Sequence, residues 1–576
     1  MASPARLASR FGFGGKTRVD LARRTMVPLL VALIPFFWVA DATHRAALTT
    51  LGRDQGIFQY IAWAVGFGDR DYKDIRDVNG PLTHLIHRVF LLLGSADEHR
   101  FHVLELACTG LSFAIAGACI PGLWAKRVTW AERLAWALAS WSVLSVQYQL
   151  YLYWNQAQRE SFCDWFLLPS LALQAATPSR HPARRVMIVG ALSVIPWFGK
   201  ANFAIFTMLQ LVVLLLDREV RLSWRAKIAR FALGGAIGSL LPLSYLLHYG
   251  DIRSFLRITF VDVPSIYRFM WAKSVQEILG DEGPLNVATA GLATGALMVA
   301  LVIYRELPRR ALALALAPVC AVIGALAQHK GFGYHFHPAT ATTSFCWLLL
   351  VALLWERFRG VPRSRPLGRW VALGVAAAFA LERASAMRGS PQTKNYWILG
   401  GGETAEDRAK SEYFATFKSY DFFPWEIRQA ATYINEVTSP DARVQSYSMD
   451  PYLLFLAKRR SATPYIYAYD LNDDAALEGG WHNRPSPQQK ANIAGARDAH
   501  EQDMLTHLKA APPEAFVFID NAPLMSWPDA WEDFRHCCID SATWVAGHYH
   551  PARSFGGVHV WLRDDSRVLD SDQAIP

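Results

Sequence analysis

The sequence predicts a mainly α-helical, polytopic membrane protein that carries a C-terminal α/β domain. Three observations predict it. Of 576 residues, 52% are hydrophobic, with 21 Trp and 32 Phe, while charged residues fall to 19%, below the usual quarter of a soluble chain. The apolar residues come in about eleven runs, at roughly 26–40, 101–121, 131–151, 161–177, 186–198, 203–216, 229–249, 284–304, 311–327, 338–355 and 367–382. The composition then changes near Glu382, after which strand-like and helix-like segments alternate to the end.

Taken in order, residues 1–25 form a basic N-terminus and 26–40 read as an uncleaved first span. With the N-terminus in the cytoplasm, the loops on that side carry 25 Lys and Arg, against seven in the short opposite loops. Positive charge accumulates on the cytoplasmic side of a membrane protein. The net charge of +9 is therefore expected from topology and does not point to nucleic acid. The same asymmetry puts residues 41–100, the loops around Arg159, Lys200 and Lys330, and residues 383–576 on the extracytoplasmic side.

Residues 41–100 depart from the rest. They hold Asp54, Asp69, Asp71, Asp74 and Asp77 among Arg53, Arg70, Lys73 and Arg76. Segment 57–65 reads as a short amphipathic helix and 82–93 as a second, with Pro81 at a helix start, where its missing N–H costs nothing. A charged cluster between helices lying at an interface builds a site on a membrane surface. The short extracytoplasmic loops each add one cation, Arg159, Lys200 and Lys330. Each is met equally well by a local acid, as Arg159 is by Glu160; on one face beside an acidic loop, together they suit a phosphate. His329, His335 and His337, with Asp77, are candidate ligands for a divalent metal ion, the one candidate cofactor.

In 383–576, segments 443–449, 464–468, 515–520 and 558–562 read as strands, and 451–458 and 488–510 as helices, which suggests a small α/β domain. Asp520 follows an apolar strand, a position that contacts ligands in some α/β folds and caps a turn in more.

Asp54-Gln55-Gly56-Ile57-Phe58-Gln59-Tyr60, then Tyr72-Lys73-Asp74, then Asp77-Val78-Asn79-Gly80-Pro81-Leu82 resemble the first periplasmic loop of GT-C glycosyltransferases. The likeness is to the bacterial branch related to protein mannosyltransferases and the aminoarabinose transferases of lipid A. Ala157-Gln158-Arg159-Glu160 and Gly190 to Lys200 are similar to further elements of that family. Two positions depart from it: Gln55 stands where a second acid is usual, and Asn79-Gly80 where Lys-Pro is usual.

The resemblance implies a GT-C-type fold in a bacterial inner membrane and a polyprenyl-phosphate-sugar donor. It also implies an acceptor among envelope lipids, glycans or proteins, and inversion at the anomeric carbon. It implies Asp54 as the catalytic base. The expected substrate and phosphate contacts are Arg53, Lys73, Asp77, Asn79, Arg159, Lys200, Lys330, Tyr334 and His335, with Asp262 and Tyr267 toward the acceptor. The competing readings are a lipid or polymer transporter and a non-catalytic scaffold that binds envelope polymer. A transporter is expected to place its charges near the membrane midplane and to show an inverted repeat, and neither is evident.

Overall fold

A computed structural model describes residues 15–94, 96–125, 128–176, 181–359, 367–390, 404–480 and 483–565. Each apolar run is a helix: Gly15–Ala46, Glu98–Cys119, Trp130–Gln149, Arg159–Ala175, Pro182–Val194, Ala204–Leu216, Trp224–His248, Glu282–Ile303, Leu312–Leu326, His337–Arg359 and Leu367–Gly389. Among the described residues seven of these helices are, by length and composition alone, long and apolar enough to cross a membrane. Ala201–Leu216 is a shorter apolar helix. The remaining three bring in acids or bases, and Glu132, Glu160 and Asp164 turn inward and are buried.

Helices Pro182–Val194 and Trp224–His248 pack backbone to backbone. A Cβ on Gly234 would lie 2.0 Å from the Met187 carbonyl oxygen. The spacing Gly234 to Gly238 is the small-residue repeat that permits such approach in membrane helices.

Among the described residues, the C-terminal region holds one five-stranded sheet of β1 (Arg443–Tyr447), β2 (Arg460–Ser461), β3 (Ala515–Ile519), β4 (Tyr549–Phe555) and β5 (Val558–Arg563), in the order β2-β1-β3-β5-β4. The β1 strand is parallel to β2 and β3, whereas β5 is antiparallel to β3 and β4. Every residue of β3 is buried, as its unbroken apolar run requires of a central strand.

The expected strand at 464–468 is not one. The Gln445 side chain takes the place of a ladder, accepting from Thr463 N at 3.1 Å and donating to the Tyr465 carbonyl at 2.9 Å. Segment 57–65 also differs from expectation. It belongs to helix Arg53–Ala64, which is buried except at Asp54 and Trp63, so it is not a surface-lying amphipathic helix. The C-terminal region lies on it: a Cβ on Gly56 would meet Tyr452 at 2.7 Å.

Candidate active site

The site begins at the N-terminus of helix Arg53–Ala64. Gly52 is the extended N-cap, and Gln55 closes the turn by accepting from the Gly52 N–H. The Gln55 amide donates to the carbonyls of Tyr153 and Gln156, fastening this helix to the segment before Arg159. A carboxylate has no hydrogen to give those carbonyls, which explains Gln55 at the place of a usual acid.

Asp54 lies in the first helical turn, where the helix dipole favours negative charge. Burial nevertheless raises its pKa, against the pull of Arg159, Arg53 and a Gln158 hydrogen bond.

Residues 69–80 lead back to the same place. Gly80 precedes helix Pro81–Leu92, and a Cβ there would lie 2.2 Å from the Phe198 carbonyl oxygen, so glycine is required by close approach. Asn79 donates to Asp77 at 2.7 Å and accepts from Arg159. Arg159 also lies over the Tyr334 ring, 5.6 Å from its centroid, and its guanidinium is 3.4 Å from the Tyr334 hydroxyl.

Lys330 sits between two residues of positive φ, His329 (54°) and Gly331 (69°). It donates to the Tyr267 carbonyl at 2.7 Å and to the Met270 carbonyl, with no carboxylate among these partners. Burial lowers its pKa to about 7.

Asp54, Asn79, Arg159, Lys330 and Tyr334 line one cavity of about 260 Å³. Its other wall comes from the C-terminal region, from Asp421, Met449, Tyr467, Tyr469, Pro523 and Leu524. Tyr467 and Tyr469 stack with centroids 4.8 Å apart. Arg53 also lines the cavity, but its charge is met by Asp450 at 3.1 Å and Asp421 at 3.2 Å. Among the described residues, the cations left facing the cavity without a close carboxylate of that kind are Arg159, whose nearest is Glu160 at 4.0 Å, and Lys330.

The other candidates lie elsewhere. Lys73 is exposed and outside the cavity lining. Lys200 is paired with Glu160, and burial lowers it to about 8 against that pairing. His335 stands 3.7 Å from the same Glu160. Asp262 is paired with Arg76 at 2.9 Å, while Tyr267 reaches the cavity.

The candidate metal ligands do not come together, a correction to the sequence reading. Asp77 is saturated by Asn79, His84 and Tyr467. His337 is occupied by the Asn155 carbonyl at 2.7 Å and stacks on Tyr151, and His329 meets the Lys273 carbonyl. Among the described residues no group of three or more His, Cys, Asp and Glu side chains is arranged for a metal ion.

No protein-family model matches the sequence, and no curated protein matches it. Among solved structures, the chain is similar to ArnT from Cupriavidus metallidurans bound to undecaprenyl phosphate, at 14% identity and a TM-score of 0.48, over 92% of this chain and 97% of that one. It is similar to the apo oligosaccharyltransferase of Archaeoglobus fulgidus at 12% identity and 0.48, over 86% and 69%. It is also similar to AglB from the same organism, in complex with an inhibitory peptide and a dolichol-phosphate, at 12% identity and 0.41, over 93% and 74%.

Reading the C-terminal region from sequence as a lid or acceptor-recognition module named none of the residues of the wall it supplies. The signal was present as Tyr465, Tyr467 and Tyr469, three tyrosines at alternate positions. Read as strand periodicity they point to a sheet face. In the fold Tyr467 donates to Asp77 at 2.9 Å and Tyr469 faces the cavity.

Proposed function

We propose that this chain is a GT-C-type glycosyltransferase of a bacterial inner membrane. It moves a sugar from a polyprenyl-phosphate donor to an acceptor hydroxyl of an envelope lipid, glycan or protein on the extracytoplasmic face. The N-terminus is cytoplasmic, residues 26–382 form the catalytic module, and residues 383–576 lie outside over the site. The observation that carries this reading is the meeting of Asp54 with Arg159 and Lys330 in a single cavity of about 260 Å³, whose other two charged residues, Arg53 and Asp421, pair with each other.

The chemistry follows from that set. The acceptor oxygen attacks the anomeric carbon while Asp54 takes its proton, a task suited to a carboxyl whose pKa is raised toward the working pH. The bond from the anomeric carbon to the phosphate oxygen breaks, and the phosphate leaves with the bonding electrons. Arg159 and Lys330 hold the charge that develops there. A single displacement of this kind inverts the anomeric centre. Tyr334 and Asn79 fix the Arg159 guanidinium, and Lys200 and His335 act one step back, through Glu160.

The test is transfer of labelled sugar from polyprenyl-phosphate donors by wild type and by Asp54→Asn. The expected result is transfer by wild type and a loss of roughly a hundredfold or more in the variant, the scale of a positioned general base. Equal transfer by both removes Asp54 from the mechanism, and no transfer across a broad donor panel removes the enzyme reading.

A further inference from the structure

Beneath the cavity lies a buried imidazole that the mechanism above does not use. His84, on helix Pro81–Leu92, is fully buried between two carboxylates that are also fully buried. Its Nδ1 is 2.7 Å from Asp71 Oδ2, and its Nε2 is 2.7 Å from Asp77 Oδ2.

The other side chains that meet those carboxylates are all donors. The Tyr245 hydroxyl donates to Asp71 at 2.9 Å, and the Tyr467 hydroxyl and the Asn79 side-chain amide donate to Asp77. Neutral imidazole has one donor and one lone pair, so one nitrogen would set its lone pair against a carboxylate. With both carboxyls ionised, the geometry requires an imidazolium that donates on both sides.

That arrangement fixes a direction along the chain of contacts. Asp77, held by His84, offers only acceptor oxygens, so the Asn79 NH2 must face it at 2.7 and 3.1 Å. The Asn79 carbonyl oxygen then faces the other way and accepts from Arg159. The Tyr72 hydroxyl holds the Asn79 backbone carbonyl at 2.8 Å, so the backbone is pinned independently of the side chain.

We propose that His84 is a positioning residue: by clamping Asp77 it locks the Asn79 amide in the one orientation that presents its oxygen to Arg159, and so aims Arg159 at the donor phosphate. The proposal rests on the glycosyltransferase reading and names what orients the phosphate-binding cation. Asp71 serves as the far anchor, because its backbone is tied to Tyr249 and Asp251 at 2.9 Å each.

The test uses full-length protein in detergent, with undecaprenyl phosphate as the binding probe and sugar transfer as the rate assay. His84→Gln keeps the volume and one donor but turns its oxygen toward the other carboxylate. It is expected to weaken probe binding about tenfold and to lower kcat on the order of a hundredfold, as a reacting group displaced by about 1 Å does. The acceptor KM stays unchanged. Asn79→Ala has the same signature, and the double variant is no worse than Asn79→Ala alone, because the two act through one contact.

Additive losses, or a His84→Gln variant that folds and binds the probe as wild type does, overturn the proposal while leaving the glycosyltransferase reading intact. If His84→Gln does not fold, Asp71→Asn takes its place in the same cycle with the same criterion. Wild type that neither binds the probe nor transfers sugar overturns both.

Discussion

Arg53 Nε donates to Asp450 Oδ1 at 3.1 Å across 397 residues of sequence. The same guanidinium reaches the side chain and backbone carbonyl of Asp421 and lies over Trp154 and Phe422. The residue that opens the Asp54 helix is thus the clasp between that helix and the C-terminal region. Arg53→Ala leaves Asp450 buried without its cation, and breaking a buried pair this way costs about 3–5 kcal/mol. The expected outcome is early release of residues 404–565 in limited proteolysis, together with loss of transfer although Asp54 is intact. Proteolysis indistinguishable from wild type would show that the clasp is dispensable.

Gln55→Glu restores the acid usual in the resembled family, yet it is expected to harm this protein. The new carboxylate would face the Tyr153 and Gln156 carbonyls that the amide now serves. Setting acceptor against acceptor in a buried site costs about 1–3 kcal/mol or more. A lowered thermal midpoint in detergent with no gain in transfer is the expected result; faster transfer would mean that Gln55 had weakened a two-acid mechanism.

On the proposed mechanism, Lys330 gives the donor step a pH dependence. With its pKa lowered to about 7 by burial, the free enzyme carries this charge below pH 7 and loses it above. Donor kcat/KM, which reports the free enzyme, is therefore expected to fall as pH rises from 6 to 8. Asp54, raised by burial, supplies the rising limb on the acid side. Lys330→Met is expected to keep the acid limb and lose the alkaline one. An unchanged alkaline limb in that variant assigns it to another group.

The His84 clamp is a stability element with a definite sign. Burial alone would lower its pKa, but Asp71 and Asp77 raise it to about 10, above the usual value near 6.5 of an unfolded chain. Its contribution is fully present below about pH 6.5 and is lost as pH rises through 10. A wild-type thermal midpoint that declines between pH 7 and 10, with a shallower decline in His84→Gln, is expected. Parallel declines would remove the imidazolium from the account.

The helices were legible because runs of Leu, Ala and Val carry their own length. β1, β3 and β5 were legible because branched and aromatic residues crowd into short segments bounded by turns. Arg159 and Lys330 stood out because isolated cations on short loops need a reason. What local pattern could not give was distance. Nothing near Asp421 or Tyr469 tells that they face Asp54, and nothing near Lys73 tells that it faces away. Gln445 imitates a strand partner with its side chain, so the periodicity of 464–468 read as a ladder that the backbone never forms. Gly80 looked like a departure from a motif until the Phe198 carbonyl was found where a Cβ would go.

The Arg53–Asp450 contact also orders events in time. A ribosome releases the Asp54 helix nearly four hundred residues before its last partners, and Tyr467 and Leu524 emerge later still. Until they arrive, the cavity has one wall, Asp54 is open to water, and the stacked tyrosines are missing. A newly inserted chain therefore holds its carboxylate and its cations but no enclosed chamber. On the proposed function, transfer begins only once residues 404–565 have been made and folded back over Asp54, so the order of synthesis itself sets when the cavity closes.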